Sequence, residues 1–538
     1  MNKTFKRILS VLACGVIAAA PMLGGCKKQR AENELEIRYY NGGFGSEWIE
    51  YAAEQFEKAN EGVKVTTVAD SELQSSIGTY LESGKRLSDL YFTQSIDWQY
   101  FVNKGVVEPL DDLYETEVSK LDGTKIKIKD YMNDDRVEVG RMSETYGAPA
   151  HYYTMPWSTL TCGMVYNVNI VKSTPRRATG KNWDHAPATM SELYEYVDDL
   201  NAAALTVKDG DKNVKVQAFA IGLQKGQWWL TFPLKVWWAQ LQGVVDPSVV
   251  AQSLNQGSYY DFWDFGAPEY SFGANNEKNV WNQIGIQCGL DILRSLLVNT
   301  ETGKYTNTID RCDEIEATRA EQAFAKGQAA FIFVGNWIEN EIADFKSEGF
   351  EMEAMYVPTV DSSVNERTGV NYVPENFACD YKINNNAEAD LALIPAKAAN
   401  KELAKKFLAF INSEEMLLKF SEQTGCARPF KYDPLDNEKN GFTYSSYVKS
   451  ALALATEADY NIIEYPMNKG RTTGADRDNF VSYIYTYKRP ELFEGPGSGK
   501  CLSGITTKTG KQIMAEVVEK TNVYYKQWFD ELGLGDLV

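Results

Sequence analysis

Leu35-Glu36-Ile37-Arg38-Tyr39, then Asn41-Gly42-Gly43, then Trp48, Ala52, Phe56 and Ala59: this stretch decides the fold. Three apolar residues alternate with two charged ones, the period-two pattern of a strand with one buried face. The Asn-Gly-Gly run breaks it. The apolar residues that follow recur at helical spacing, and Asn60-Glu61-Gly62 stops that helix. Val63, Val65 and Val68 read as a second strand and Ser88 to Phe92 as a third, with a helix from about Asp97 to Asn103. Strand, helix, strand, helix in this rhythm predicts an α/β lobe on a largely parallel sheet.

The alternation resumes after Ala148-Pro149-Ala150. Thr161 to Tyr166 is strand-like, Thr189 to Leu205 helical, and Phe219 to Gly222 a short buried run. A tryptophan-rich segment spans Trp228 to Leu241. Glu321 to Gly327 closes a helix, and Ala329 to Val334 is an apolar strand. Polar, turn-rich stretches at 252–280 and 361–375 read as insertions in surface loops. At 538 residues the chain is too long for one core, so at least two lobes are expected.

The N-terminus places Lys3, Lys6 and Arg7 ahead of an apolar run from Ile8 to about Ala20, then Leu23-Gly24-Gly25-Cys26. A basic start, a short apolar core and small residues before a cut describe an export signal, too short for a permanent span. Leu-Gly-Gly-Cys resembles the bacterial lipobox, which implies that Cys26 is acylated and becomes the mature N-terminus. An ordinary signal peptide with a chance cysteine is the alternative. Residues 1–25 are thus expected to be removed and 26–34 to form a tether, holding the protein on the outer face of the cell membrane by acyl chains alone.

The formal charge of −19 becomes −22 once the three cations of residues 1–25 are gone. Repulsion at that charge argues against nucleic acid and polyanionic partners. Six cysteines remain after Cys14 and Cys26: Cys162, Cys288, Cys312, Cys379, Cys426 and Cys501. Their scatter, without a C-x-x-C pair, speaks against a zinc site and favours buried thiols at least as much as disulfides. Only His151 and His185 are on hand for a Ser-His or Cys-His hydrolase, and neither sits in a motif. Glu494 to Cys501 mimics a phosphate loop but has Glu for the first Gly and Cys for the Ser or Thr, so it reads as a glycine-rich turn. No cofactor or metal is expected.

Several blocks together resemble the family 1 extracellular solute-binding proteins, the lipoprotein receptors of ABC sugar importers, to which maltose-binding protein also belongs. Phe56-Glu-Lys-Ala-Asn60-Glu-Gly-Val63-Lys-Val65 is similar to the family's first helix and second strand, with Glu61 where Pro is usual. Leu90 to Gln94 with Gly105-Val-Val-Glu-Pro109-Leu110 resembles its third strand and following turn. Met155-Pro156 to Val165-Tyr166-Asn167 resembles a hinge strand. Phe324-Ala-Lys-Gly327-Gln-Ala-Ala-Phe331 to Gly335-Asn336-Trp337 matches the most telling block, and Ala404 to Phe410 through Thr424-Gly425 matches a late helix pair.

The resemblance implies two α/β lobes joined by a hinge, a ligand cleft between them, and delivery of an oligosaccharide to permease subunits by a monomeric, non-enzymatic receptor. On this reading one lobe holds 35–150 plus 380–425 and the other 156–375 plus 430–538. Sugars present apolar faces and a rim of hydroxyls, so their sites want aromatic platforms with oriented polar groups. The chain has 12 Trp and 31 Tyr. Loops after strands are favoured, which selects Trp337 with Asn336 first. The resemblance adds a polar contact at Gln227, where a smaller relative has a carboxylate, and an aromatic one at Trp229. Trp237 and Trp238 read as core. Asn41, Gln94 and Asp97 follow first-lobe strands and suit hydroxyls, or else cap turns. Trp98 is a further platform, and Arg428 lies in a loop that faces the cleft in relatives. Two rivals stand: a secreted glycoside hydrolase with a carboxylate pair, and a receptor for a peptide or small charged solute.

Overall fold

The computed structural model describes residues 30–94, 96, 98–134, 136–137, 139–143, 149–224, 227–245, 259–261, 282–386, 390–436, 441, 443–463 and 504–519. The opening stretch folds as its pattern requires. Glu34–Tyr40 is a strand whose buried residues are Leu35, Ile37 and Tyr39, and Glu47–Ala59 is a helix that buries Trp48, Ala52 and Phe56. Lys64–Asp70 and Leu90–Thr93 pair with that strand on either side, both parallel to it.

The first sheet runs in the order Lys64–Asp70, Glu34–Tyr40, Leu90–Thr93, Leu391–Leu393, Met155–Pro156. Its last two strands pair antiparallel, so the sheet is mixed rather than largely parallel. The reason lies in how they arrive. Neither enters through a crossover helix, which is what fixes parallel direction in a βαβ unit. Trp48, Phe92, Trp157 and Phe420 fill the core beneath, with Trp48 and Trp157 stacked at 4.9 Å.

The second sheet has the order Gln217–Ala220, Ala329–Gly335, Cys162–Asn167, Met352–Met355. Every residue of Ala329–Gly335 is buried, as a central apolar strand should be. Helix Met190–Ala203 is capped by Thr189, whose side chain accepts from the Glu192 N–H. The tryptophan-rich segment becomes helix Thr231–Val245, packed on Ile284–Leu297. Gly285 and Gly289 permit that approach: a Cβ on either would lie 2.5 Å from Trp238 Cδ1 and 2.4 Å from Leu234 Cδ1 respectively. Trp237 and Trp238 are core, donating to Pro358 O and Gln283 Oε1.

Residues 361–375 depart from the loop reading. Ser363–Thr368 is a short helix, and Tyr372 and Val373 are buried, with the Tyr372 hydroxyl on Asp291. Of 252–280 only Tyr259–Asp261 is described; it joins a small parallel sheet with Tyr460–Ile463 and Ile383–Asn386. The chain passes from the first main sheet to the second at 157–161, between Met155–Pro156 and Cys162–Asn167. Thr159 N–H donates to Ala427 O at 2.8 Å, and Ser158 Oγ to Asp390 Oδ2 at 2.5 Å, so this passage is bonded to two segments far along the chain. Cys162, Cys288, Cys312, Cys379 and Cys426 are free, buried thiols. The signal segment, Cys26 and Cys501 lie outside the described residues. No helix among the described residues is long and apolar enough to cross a membrane.

Candidate functional site

Parallel pairing decides where the loops go. Gln217–Ala220 and Ala329–Gly335 run parallel, so the segments after them leave the same edge of the second sheet. Those segments hold Trp229, in the one-turn 3-10 helix Gln227–Leu230, and Trp337. Glu34–Tyr40 and Leu90–Thr93 also run parallel, so the loops with Asn41 and Gln94 leave one edge of the first sheet. The two edges meet. A Cβ placed on Gly43 would lie 2.3 Å from Trp337 Cβ, and the Asn340 side chain donates to Gly43 O at 3.1 Å.

At that meeting point the two half-buried tryptophans stand with ring centres 6.2 Å apart at 60°. Phe232 is a third ring, also 6.2 Å from Trp337 and nearly perpendicular to it. Gly335 lies against the six-membered ring of Trp337, where a Cβ would come within 2.0 Å of Cζ3. Trp337 therefore has its position set by two glycines, Gly335 at the end of its own strand and Gly43 in the loop after the first sheet's strand Glu34–Tyr40. Asn336 is almost fully buried: its N–H donates to Thr161 O at 3.0 Å and its side chain to Thr159 O at 3.4 Å. It ties the Trp337 loop to the passage between the sheets, and as placed it is a positioning residue, not a surface for ligand.

The other candidates scatter. Asn41 is exposed, two residues from Gly43. Gln94 is half-buried and accepts from the Gln74 side chain at 3.1 Å. Gln227 begins the turn that bears Trp229, with its side chain outside what is described, as is Asp97 altogether. Trp98 is not a platform here: at 2% exposure it is core, among Leu73, Ile77 and Tyr91. Arg428 is likewise inside. Its Nη1 donates to Ile411 O and Asn412 Oδ1, at the end of helix Lys401–Ile411, and its guanidinium lies 4.5 Å from the Phe420 ring centre. Burial pushes that guanidinium down to about 9. Such a group closes a helix end and a core. Phe232, Gly43 and the Thr159–Thr161 carbonyls escaped the sequence reading; the Gly42-Gly43 pair was visible, but only as a breaker.

Two sheets whose carboxyl-terminal edges face each other, joined by the passage at 157–161, define a two-lobed solute-binding protein with its cleft between the lobes. A family model described as bacterial extracellular solute-binding protein matches residues 51–439, and the chain belongs to that family. The solved structure of the solute-binding protein RafE in complex with raffinose has the same fold, with a TM-score of 0.52 at 14% identity, over 89% of this chain and 99% of that one. No curated protein sequence matches. The protein is thus an extracellular solute-binding component of the ABC-transporter type, on the outer side of the cytoplasmic membrane, among relatives that bind rather than catalyse.

Proposed function

We propose that the protein captures an oligosaccharide between its lobes and delivers it to the permease subunits of an ABC importer, as a monomer held to the membrane by acyl chains on Cys26. The observation that supports a sugar is the pair Trp229 and Trp337, half-buried where the two sheet edges meet. Flat rings at an interlobe edge suit the apolar faces of pyranosides, while the exposed amide of Asn41 suits hydroxyls. We draw the lobes as 35–150 plus 380–425 and 156–375 plus 430–538, adjusted at their boundaries. Met155–Pro156 and Phe430 go with the first core, and Ile383 goes with the second.

Calorimetric titration with a panel headed by raffinose, which the fold relative binds, tests this reading. Trp337→Ala should weaken sugar binding by about 2–4 kcal/mol, as loss of a hot-spot ring does. Its melting point should shift far less than the ~3–5 kcal/mol expected for a core tryptophan. Normal binding with a much lower melting point would make Trp337 a core residue and sink the platform. Saturable binding of peptides with none of sugars would sink the substrate class. For the anchor, Cys26→Ala should move the protein from membrane to soluble fraction with ligand binding intact; retention at the membrane counts against acylation.

A further inference from the structure

Beside the Trp337 loop the second sheet borders a small cavity of about 20 Å³, lined by Thr161, Asn336, Asn385 and Tyr447 together with Val334 and Ala451, among others. Four separate segments converge on it. Thr161 ends the passage between the sheets, and Asn336 belongs to the Trp337 loop. Asn385 lies in strand Ile383–Asn386, and Tyr447 in helix Ser446–Glu457. Thr161, Asn385 and Tyr447 are 7%, 1% and 2% exposed. Their Thr161 Oγ1, Asn385 Oδ1 and Tyr447 Oη atoms have no hydrogen-bond partner among the described residues.

Three such atoms around one small space are costly, because buried polar groups in proteins are nearly always hydrogen-bonded to protein or to ordered water. The space is also of a particular size. About 10–15 Å³ is what a single water needs, and it wants two to four polar partners. We infer that this cavity is a binding site for one structural water, which bridges Thr161, Tyr447 and Asn385 and so joins the hinge passage to the helix and strand beside it. The two hydroxyls each have a proton to give and lone pairs to accept with, and the Asn385 carbonyl accepts, so a water with two protons satisfies all three.

The inference is independent of the sugar reading, because its test needs no ligand. Thr161→Val and Tyr447→Phe each delete one hydroxyl and keep the shape, and are measured in the full chain by denaturant unfolding. A shared water makes each variant less stable, with an unfolding constant raised roughly 5–30-fold, and makes the double variant cost less than the sum of the singles. If the hydroxyls are simply unpaired, deleting them relieves their desolvation. Both variants are then as stable as the parent or more so, and their effects add. That second pattern overturns the inference, as does destabilisation that is strictly additive.

Discussion

Gly43 shows how one missing side chain shapes the site. Its backbone φ lies outside the left-handed region, so alanine there meets no backbone strain, only Trp337 Cβ at 2.3 Å. That atom is the root of the indole side chain and cannot swing aside. Gly43→Ala should therefore hold the two edges apart, weakening ligand affinity at least about tenfold, a ~1–3 kcal/mol overpacking effect. Melting of the ligand-free protein should stay near normal; unchanged affinity in calorimetry would show that the contact is irrelevant to binding. At this scale the sequence was readable in part. Trp337 was legible because a run of buried apolar residues ends abruptly in Gly335-Asn336, which puts the ring just past a strand end. Trp98 follows a strand in the same way and is core, because burial is decided by what packs over it (Leu73 and Ile77 from another helix) and not by its neighbours in sequence. Arg428 was illegible for a related reason. A buried cation held by carbonyls and aromatic rings leaves no mark in its own segment.

Helix Ala317–Ala325 and the short helix Ile338–Glu341 flank the strand that leads to Trp337, and they share an acidic contact. Glu321 is 2% exposed on the first helix. Burial above all, with Glu341 beside it, raises its carboxyl far above the usual carboxylate range. The folded protein thus keeps a proton that the unfolded chain gives up at neutral pH, and the sign follows. Stability is fully present below the ordinary glutamate pKa of about 4.3 and declines as pH climbs above it. One such proton allows at most about 1.4 kcal/mol per pH unit. Glu321→Gln should remove that decline, so thermal melts of parent and variant diverge between about pH 5 and 8; parallel curves would show that Glu321 ionises freely. Elements themselves were largely legible, since Glu34–Tyr40, Glu47–Ala59 and Ala329–Gly335 form within a residue or two of their pattern. Strand Leu391–Leu393 was not, and Met155–Pro156 was visible only within a longer hinge-strand block; both are two or three residues long and given their direction by partners far away in sequence.

Over the whole molecule, the contacts of Gly43 with Trp337 and Asn340 join one lobe's edge to the other's. A ligand held between the edges favours the arrangement in which both are engaged. Small-angle scattering should give a smaller radius of gyration with saturating oligosaccharide than without; no change at proven saturation would mean that the site lies within one lobe or that the protein is already closed without ligand. The two-lobed plan was legible from length and alternating elements, whereas the bonds of Thr159 to Ala427 and Ser158 to Asp390 depend on residues hundreds of positions apart. Those long spans bear on how the chain acquires its shape. Leu391–Leu393 sits inside the first sheet, between Leu90–Thr93 and Met155–Pro156. The earlier strands emerge during synthesis about 300 and about 235 residues before the strand that must slot between them. Until then that sheet has an open gap, and a chain rich in such distant pairings folds slowly. A member of an extracellular family has to reach the far side of a membrane, and a sheet that stays incomplete until late in synthesis leaves the first lobe unlocked over that interval.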